Sequence, residues 1–430
     1  MADGTDSGDA RLTLRIESVA YRGPGVARAE GGAVCFVPET CPGELVEAEV
    51  VARRKNFWEA RVARVLEPSP DRLAEPDCRV WTVDGFVKTP GCVYDHVRHA
   101  AEVAWKNEQL RGFLERQAGL PGAGERMPAP FVSPRALHYR NKATLHSARN
   151  AAGRPILGYV GDDNRTVVDV PSCPLSAEPI DEALADARND PAFWRYVGAG
   201  SQVVLRWTPD DGVATWVDRP AGRGAAPERD RLPDLTERTP VLGRLRVPAR
   251  GFWQMNGEVG AALVSAVTDL LRAEAPERFA DLYCGVGVFG LSAAKAGVPH
   301  VFGADSGRDV VRAASANARE HGLDGRARFA CADVAASADR LLAPCAGPSG
   351  AALVDPPRAG LDPRVVRALL ARRPRLLLYV SCAPDTLARD LRLLCAPGSG
   401  YALRSARLFD MFPRTAHFET LCVLERKPAG

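Results

Sequence analysis

The amino-acid sequence predicts an α/β protein in which a doubly wound, mainly parallel sheet follows a small all-β barrel and a central, mostly β region. Short β-prone runs separated by turns fill residues 11–66, and similar runs recur between residues 132 and 250. From about Gly257 onward, short apolar strands alternate with amphipathic helices, which is typical of a parallel sheet covered on both faces. A chain of 430 residues is also too long for one ordinary core. We therefore predict three domains, at residues 1–67, 68–250 and 251–430.

The composition is that of a globular protein. Hydrophobic residues make up 46% of the chain and charged residues 25%, and the formal net charge of +3 neither demands nor excludes an anionic partner. Residues 1–10 contain no cationic segment followed by an apolar run, so we expect no secretory signal. No apolar stretch reaches the roughly 20 residues that span a bilayer. We expect a cytoplasmic monomer that makes no contact with a membrane.

The barrel prediction rests on four β-prone runs with turns between them, LTLRIESVAY, AVCFVP, LVEAEVVA and WEARVARVLE. Between Arg53 and Arg64, the aromatic residues Phe57 and Trp58 lie among arginines. Such a surface can follow a nucleic-acid backbone while bases stack on its rings. A solvated barrel face explains the same residues, and the sequence does not decide between the two.

The second domain begins after a Pro-rich boundary near Pro68 and Pro76. It contains a charged helical pattern at residues 99–117 and a polar loop at residues 219–240. Its β-like runs are KATLHSA, ILGYV, TVVDV, SQVVLRW and VATWVD. These features predict a mostly β central domain.

The first strand of the C-terminal sheet, RFADLYCG, ends in a glycine turn that opens a helix, and Gly285 there lets the backbone approach a ligand. The second strand ends at Asp305, which is suited to accept hydrogen bonds from ribose hydroxyls. The third ends at Asp333, which is suited to an adenine edge. Together these residues fit an adenosine pocket for S-adenosyl-L-methionine. A nicotinamide dinucleotide is the alternative, because Gly285, Gly287 and Gly290 also have Gly-x-Gly-x-x-Gly spacing.

Three further motifs carry residues suited to covalent chemistry. DPPR (355–358) follows a strand. SCAPDTLARD (381–390) places Cys382 between a strand and a helix N-terminus, where the helix dipole favours a thiolate. FPRTAHFET (412–420) leads into the last strand and carries Glu419.

These motifs, together with FWQMN (252–256), resemble those of the RNA 5-methyluridine methyltransferase family, and the N-terminal region resembles the TRAM domain, an OB-like RNA-binding module. The resemblance covers most of the chain and implies a Rossmann-like class I methyltransferase domain at residues 251–430. It implies that Cys382 is the nucleophile and Glu419 the general base. The residues that we expect to bind the cofactor are Gln254, Tyr283, Gly285, Asp305, Asp333 and Asp355. Those expected to bind the substrate are Arg358, Asn256 and Arg140.

The chemistry of uracil explains why such residues are needed. Uracil C5 is a poor nucleophile, but addition of a thiolate to C6 forms an enolate whose C5 can attack a sulfonium methyl group. A base must then remove the C5 proton before the thiolate leaves, and proton transfer of this kind contributes roughly 10² to 10⁴ in rate. Either Arg358 or Asp355 is suited to stabilise O4 or N3 of the base. We expect a structured RNA as substrate, ribosomal RNA in preference to transfer RNA, with its target base out of the stack.

Two residues of these motifs are assigned no covalent chemistry. Cys284 lies in the glycine loop, where the backbone serves the cofactor, and we interpret it as a core residue. His417 precedes Glu419 by two positions and is expected to orient its neighbours.

Many relatives in this family carry an iron–sulfur cluster on four cysteines. Cys78, Cys92 and Cys173 match three of those positions, but Thr89 stands where the fourth is expected. A 4Fe–4S cluster needs four thiolates unless another residue substitutes for one. We therefore expect that the cluster has been lost, unless the barrel folds back to supply a cysteine.

Two other classes of function fit part of the sequence. An RNA-binding protein with an inactive methyltransferase domain would share the fold, but intact Cys382, Glu419 and Asp355 argue against it. A radical S-adenosylmethionine enzyme with a TRAM module would need a Cys-x-x-x-Cys-x-x-Cys motif, which the sequence lacks.

Overall fold

The structure is a computed structural model that describes residues 11–82, 85–161, 163–218 and 232–427. Residues 1–10 and the first part of the expected polar loop, 219–231, lie outside the described residues. The architecture is α/β, as predicted: a five-stranded barrel, a central antiparallel sheet and a seven-stranded doubly wound sheet follow one another along the chain. The exact boundaries between the three domains stay a prediction.

The N-terminal barrel is closed, with the strand order β1-β2-β3-β5-β4. Its strands are β1 (Arg11–Val19), β2 (Gly25–Arg28), β3 (Val34–Val37), β4 (Leu45–Arg53) and β5 (Trp58–Glu67). Alternate side chains along these strands fill the interior, because successive residues of a strand point to opposite faces. Closure leaves the barrel without a free sheet edge.

A connecting segment links the barrel to the central sheet. It contains the short hairpin β6 (Arg79–Thr82) and β7 (Gly85–Lys88), followed by helix α1 (His99–Gly112). The helix continues as a π-helical turn, Phe113–Gln117, so the helical pattern expected at residues 99–117 is present in full.

The central sheet is antiparallel, in the order β10-β9-β8-β11-β12. Its strands are β8 (Lys142–Arg149), β9 (Pro155–Val160), β10 (Val167–Asp169), β11 (Gln202–Thr208) and β12 (Gly212–Asp218). Helices α2 (Glu178–Asn189) and α3 (Pro191–Tyr196) lie between β10 and β11 in the chain. Apolar residues of α2, including Ile180 and Leu184, pack with those of the sheet into one core.

A separate hairpin, β13 (Asp234–Thr239) with β14 (Gly243–Pro248), follows the central sheet. The expectation of a polar loop up to residue 240 was therefore wrong for its last part. The buried face of β13 carries Leu235, Glu237 and Thr239. Because two of these three residues are polar, the alternation of apolar and polar residues that identifies a strand is hidden.

The C-terminal sheet has the order β17-β16-β15-β18-β19-β21-β20. Its strands are β15 (Arg278–Leu282), β16 (His300–Asp305), β17 (Ala327–Cys331), β18 (Gly347–Val354), β19 (Pro374–Ser381), β20 (Tyr401–Phe409) and β21 (Glu419–Arg426). Five strands are parallel, whereas β21 lies antiparallel between β19 and β20.

Helices cover both faces of this sheet. They are α4 (Gly257–Glu274), α5 (Val288–Lys295), α6 (Arg308–Glu320), α7 (Val334–Leu342), α8 (Pro363–Arg372) and α9 (Pro384–Leu394). Two large apolar cores result, one on each face, and α1 packs into the core that also contains α8 and α9. No helix within the described ranges is long and apolar enough to cross a membrane.

Candidate active site

The expected site residues gather where the parallel strands of the C-terminal sheet end. β15 pairs Leu282 with Val354 of β18, and β18 pairs Val354 with Tyr379 of β19. Tyr283 and Asp355 therefore follow their strands side by side, and the amide of Asp355 donates to the carbonyl of Leu282 at 3.3 Å. Ligands of doubly wound folds bind at this edge.

The glycine turn after β15 leaves no room for a side chain at Gly287. Gly287 has a φ of +83°, and a Cβ there would lie 2.8 Å from the ring of Phe329. Tyr283 also has a positive φ, +65°, which is uncommon for a residue with a bulky side chain. Such strain is typical of functional sites, and it supports a ligand-binding role for this turn.

Two of the expected cofactor residues stabilise the turns that carry them. Asp305 accepts hydrogen bonds from the amides of Gly285 (3.1 Å) and Gly307 (2.8 Å). Asp333 is exposed and caps α7 by accepting from the amide of Ala336 at 3.0 Å. Both carboxylates thus have a structural partner, and their contacts with ribose and adenine stay predictions.

A pocket of about 580 Å³ opens between the glycine turn and the start of α4. Four of the expected cofactor residues line it, namely Gln254, Tyr283, Gly285 and Asp355. Sequence reasoning missed several others, including Arg238, Thr239, Phe252 and Trp253. Two of these lie in the FWQMN motif, which was a usable signal, whereas β13, which carries the other two, was not recognised.

Gln254 is placed by contacts from both sides. A Cβ at Gly260 of α4 would lie 2.7 Å from Cβ of Gln254, so the helix admits this side chain only because a glycine faces it. On the other side, the amide side chain of Asn141 donates to the Gln254 carbonyl at 3.0 Å. Asn256 is almost fully buried: its Nδ2 donates to Ser133 Oγ at 2.9 Å and its Oδ1 caps α4. A substrate contact of Asn256 stays a prediction.

The expected nucleophile and base meet at the end of β19 and the start of β21. These strands pair Ser381 with Thr420, and the same register leads to Cys382 opposite Glu419. Cys382 is partly exposed, whereas Glu419 is 4% exposed. Arg358 is exposed and lies close enough to act electrostatically on both groups.

The protonation of this group differs from the expectation. The helix N-terminus was expected to favour a Cys382 thiolate, but burial, followed by the negative charge of Glu419, raises the pKa of the thiol to about 11. Burial, with a contribution from Asp355, also raises the pKa of Glu419 well above its usual range. Burial, with Asp281 and Asp305, raises the pKa of Asp355 to about 7. Burial, together with several neighbouring carboxylates, therefore changes the pKa of the thiol more than one helix dipole does.

The loop after DPPR is held by Asp390, whose role sequence reasoning missed. Its Oδ2 accepts from the amide of Leu361 at 2.7 Å and from the hydroxyl of Tyr379 at 2.8 Å. Gly360, with a φ of +75°, passes close to this carboxylate, because a Cβ there would lie 2.7 Å from Oδ2. Asp390 therefore links the loop that carries Arg358 to the strand that carries Cys382.

The segment between β20 and β21 is fixed by a buried group of charges. The backbone amide of Arg414 donates to Glu102 Oε1 at 2.7 Å, and its guanidinium donates to Glu102 Oε2 at 3.2 Å. Burial, with Arg358 as the nearest contributing cation, lowers the pKa of His417 to about 4, so this imidazole is neutral at pH 7. His417 is thus suited to hydrogen bonding and not to carrying charge.

The barrel reaches this site through its first turn. Burial raises the pKa of the Tyr21 phenol, and Asp385 and Cys382 act on it in the same direction, which places Tyr21 near the nucleophile. Tyr21 and Arg22 lie at one end of a groove whose wall also includes Phe36 and Phe57.

The arginines between Arg53 and Arg64 lie on the barrel surface and form ion pairs there. Arg61 contacts Glu49 at 2.8 Å and Arg54 contacts Glu59 at 3.5 Å. These pairs support the solvated-face interpretation of the stretch. Phe57 and Arg61 of the same stretch nevertheless line the groove at Tyr21.

Cys78, Cys92 and Cys173 lie together in one buried cluster. Thr89 is 1% exposed, and its hydroxyl has no hydrogen-bond partner. Three thiols and one neutral hydroxyl do not fit a cluster that takes four thiolates. Within the described part of the chain, no group of three or more His, Cys, Asp or Glu residues is arranged to hold a metal ion.

Cys284 is 5% exposed, and burial raises the pKa of its thiol well above its usual range.

Arg140 is partly buried, and its Nε has no hydrogen-bond partner. Its charge is one of those that lower the pKa of His417, and its backbone forms β-bridges with Asn256 and Ser176.

Comparison with known proteins gives consistent results. A family model described as tRNA (uracil-5-)-methyltransferase matches residues 348–427. A 23S rRNA (uracil(1939)-C(5))-methyltransferase of Azoarcus sp. is 31% identical over 96% of this chain and 99% of that protein. An uncharacterized RNA methyltransferase of Thermosynechococcus vestitus is also 31% identical, over 96% of this chain and 98% of that protein.

The fold has a counterpart among solved structures. It is similar to a tRNA (uracil-54, C5)-methyltransferase of Pyrococcus abyssi solved in complex with S-adenosyl-L-homocysteine, with a TM-score of 0.71 and 24% identity, over 96% of this chain and all of that one. The similarity to the sequence relatives extends over nearly the whole chain, and the motif residues lie together at one edge of the sheet. Both observations indicate the same family. This chain belongs to the family of S-adenosylmethionine-dependent RNA uracil-C5 methyltransferases.

Proposed function

We propose that this protein methylates carbon 5 of a uridine in ribosomal RNA, with Cys382 as nucleophile and Glu419 as base. The observation that carries the proposal is the register of β19 and β21, which leads to Cys382 opposite Glu419 beside a pocket lined by Asp355. The full-length relatives with a named substrate act on 23S rRNA. Transfer RNA is the second candidate, because the matching family model is described as a transfer-RNA enzyme.

The lining of the pocket is suited to S-adenosylmethionine. The glycine turn provides a cradle that a side chain at Gly287 would fill, and Gln254, Tyr283 and Asp355 add polar groups to an otherwise largely apolar wall. These residues would hold the cofactor, which supplies the methyl group to C5 when it is bound.

Catalysis begins with deprotonation of Cys382. Asp355 acts electrostatically on Cys382, and burial raises its pKa to about 7, so its carboxylate is a better acceptor for the thiol proton than an exposed aspartate would be. The sulfur then forms a bond to C6 of uracil, the π pair of the C5–C6 double bond shifts to form a C4–C5 double bond, and the π pair of the C4 carbonyl moves to O4. Arg358, exposed at the mouth of the site, is suited to stabilise the negative oxygen.

The second half of the reaction restores the ring. After C5 has gained its methyl group, Glu419 takes the C5 proton, the C5–C6 double bond forms again and the bond from C6 to the Cys382 sulfur breaks. The Glu419 pKa is raised well above its usual range, chiefly by burial, so this carboxylate is a stronger base than an exposed glutamate.

The RNA contact is assigned to the groove that begins at Tyr21 and Arg22. It offers aromatic rings, Phe36 and Phe57, on which bases can stack, and it starts near Cys382. If the target uridine flips into the site, the nucleotides next to it in the RNA would lie along this groove. Arg140, which acts electrostatically on His417, is the further candidate for a contact with the substrate.

A single chain holds the complete set of candidate residues, which supports action as a monomer. We also infer that the protein works in the cytoplasm, because the relatives are named for modification of ribosomal RNA. The alternative of an RNA-binding protein with an inactive methyltransferase domain is disfavoured because the nucleophile, base and pocket occur together.

The proposal is tested by mapping 5-methyluridine in ribosomal and transfer RNA from cells with and without the gene. Loss of one 5-methyluridine from ribosomal RNA is expected, and its return requires a copy that encodes Cys382. Loss from transfer RNA alone would assign the second candidate. An unchanged map in both RNA classes, together with no methyl transfer by the purified protein, would leave the inactive-domain alternative.

A further inference from the structure

One wall of the cofactor pocket is built outside the doubly wound sheet. Strand β13 contributes Arg238 and Thr239, and the segment after β14 contributes Phe252, Trp253 and Gln254. We call residues 248–254 the pocket strap. Neither β13 nor the pocket strap is part of the C-terminal sheet, so their position must be set by other contacts.

A side chain of the central sheet makes such contacts with the pocket strap. Arg206 of β11 is 1% exposed, and its Nη1 lies within hydrogen-bond distance of three backbone carbonyl groups of the strap. The accepting carbonyls belong to Pro248 (3.3 Å), Ala249 (3.1 Å) and Gly251 (2.9 Å). The last acceptor immediately precedes Phe252, where the strap begins to line the pocket.

The same guanidinium also fixes β13. Its Nη2 donates to Glu237 Oε1 at 2.9 Å, and Glu237 is 6% exposed. Arg238 and Thr239, the next two residues, line the pocket. One planar group therefore joins both parts of the wall, although it touches neither the pocket nor the proposed reacting atoms.

We infer that Arg206 is a positioning residue for the cofactor: it sets the pocket strap and β13 at the distance that S-adenosylmethionine binding requires. This inference rests on the proposed function, since it presupposes that the pocket binds that cofactor. It assigns a role to the central domain that is separate from RNA contact.

The geometry requires arginine. A guanidinium presents donors in a fixed plane, so it can hold carbonyls on one side and a carboxylate on the other at the same time. A lysine keeps the charge but carries its donors on one nitrogen, so it cannot reproduce the two separated nitrogens with which Arg206 holds the strap and Glu237. Arg206→Lys should thus release one part of the wall while Glu237 still has a cation beside it.

The test measures S-adenosylhomocysteine binding to the full-length protein by calorimetry. For Arg206→Lys we expect the dissociation constant to rise about tenfold or more. This change corresponds to the loss of one to two buried hydrogen bonds. The KM for RNA and kcat at saturating cofactor should stay near the wild-type values, a separation that a general loss of structure would not produce. Arg404→Lys is the control, since Arg404 is also an arginine paired with carboxylates, Glu274 and Glu425, but it lies on β20, an edge strand of the C-terminal sheet.

An Arg206→Lys protein that melts like the wild type and binds S-adenosylhomocysteine equally well would overturn the inference. If Arg206→Lys does not fold, Glu237→Gln gives the same decision, because it removes the charge partner of Arg206 and keeps an oxygen acceptor: weakened binding supports the inference and unchanged binding overturns it. A wild-type protein that binds no S-adenosylhomocysteine would instead contradict the proposed function.

Discussion

Lys106 of α1 contacts Asp410, which follows β20, through a fully buried ion pair with an Nζ–Oδ1 distance of 3.1 Å. The same ammonium lies 2.6 Å from Glu102 Oε1, and Glu102 in turn accepts from the backbone of Arg414. The helix and the segment that leads to Glu419 are therefore joined by charges with no access to water. Such a network is stable only while each charge keeps its partner.

Lys106→Met is expected to lower the free energy of unfolding by about 3–5 kcal/mol, because it removes the cation that two buried carboxylates share and leaves Glu102 with Arg414 and Asp410 with His99. Urea unfolding measures the change. Arg111→Met on the same helix is the control, since Arg111 is exposed and pairs with exposed Glu108, a kind of pair worth about 1 kcal/mol or less. Equal effects of the two substitutions would contradict this interpretation of the network.

Cys382→Ala should abolish methyl transfer and leave S-adenosylhomocysteine binding nearly unchanged, because Cys382 does not line the cofactor pocket. RNA that carries 5-fluorouridine at the target should trap the wild-type protein covalently, since fluorine cannot leave C5 as a proton does. Peptide mapping of the adduct identifies the residue. An adduct on Cys284 would refute the assignment, as would substantial activity of the alanine variant.

Glu419→Gln should add to C6 and transfer the methyl group but fail to release the product, because no base removes the C5 proton. Denaturing gels should then show methylated RNA attached to the protein. Free product at the normal rate would remove Glu419 from the mechanism.

The reactivity of Cys382 should depend on pH in a way that reports its neighbours. Alkylation of its peptide by iodoacetamide, followed by mass spectrometry, should increase toward pH 11, since the thiol pKa is about 11. Glu419→Gln removes a negative charge that raises this pKa, so the variant should react at lower pH than the wild type. Identical pH profiles would show that Glu419 does not act on the thiol.

The protein is expected to fold and work without iron. Anaerobic purification followed by iron and acid-sulfide analysis should give far less than a stoichiometric four-iron content. Thr89→Cys adds a fourth thiol beside Cys78, whose carbonyl accepts from the amide of residue 89 at 2.8 Å, and this variant should take up a cluster on reconstitution. Thr89→Ser is its control. A full cluster in the wild type, lost in Cys92→Ser, would show that a residue other than cysteine completes the ligand set.

Much of the fold follows from local patterns, and these were readable in the sequence. Alternation along β1 and the apolar run of β19 are visible because each strand buries one or both faces. β13 was missed because Glu237 occupies a buried position, and its partner Arg206 lies 31 residues earlier in the chain. A pattern that depends on such a pair cannot be found by periodicity.

The same distinction applies to the site. Tyr283, Asp355 and Cys382 were placed at one edge because each follows a strand, which is a local property. The raised pKa of Cys382 was not foreseen, because it depends on burial and on Glu419 from another strand. Protonation states come from three-dimensional neighbours that no motif contains.

The insertion of β21 between β19 and β20 has a consequence for biosynthesis. Glu419 begins a strand that follows all the other strands of the sheet along the chain, yet this strand occupies an interior position of it. A nascent chain that has emerged as far as β20 lacks the element that brings base and nucleophile together. Methylation competence should therefore arise only after β21 has inserted between β19 and β20, so that an incomplete sheet cannot act on RNA.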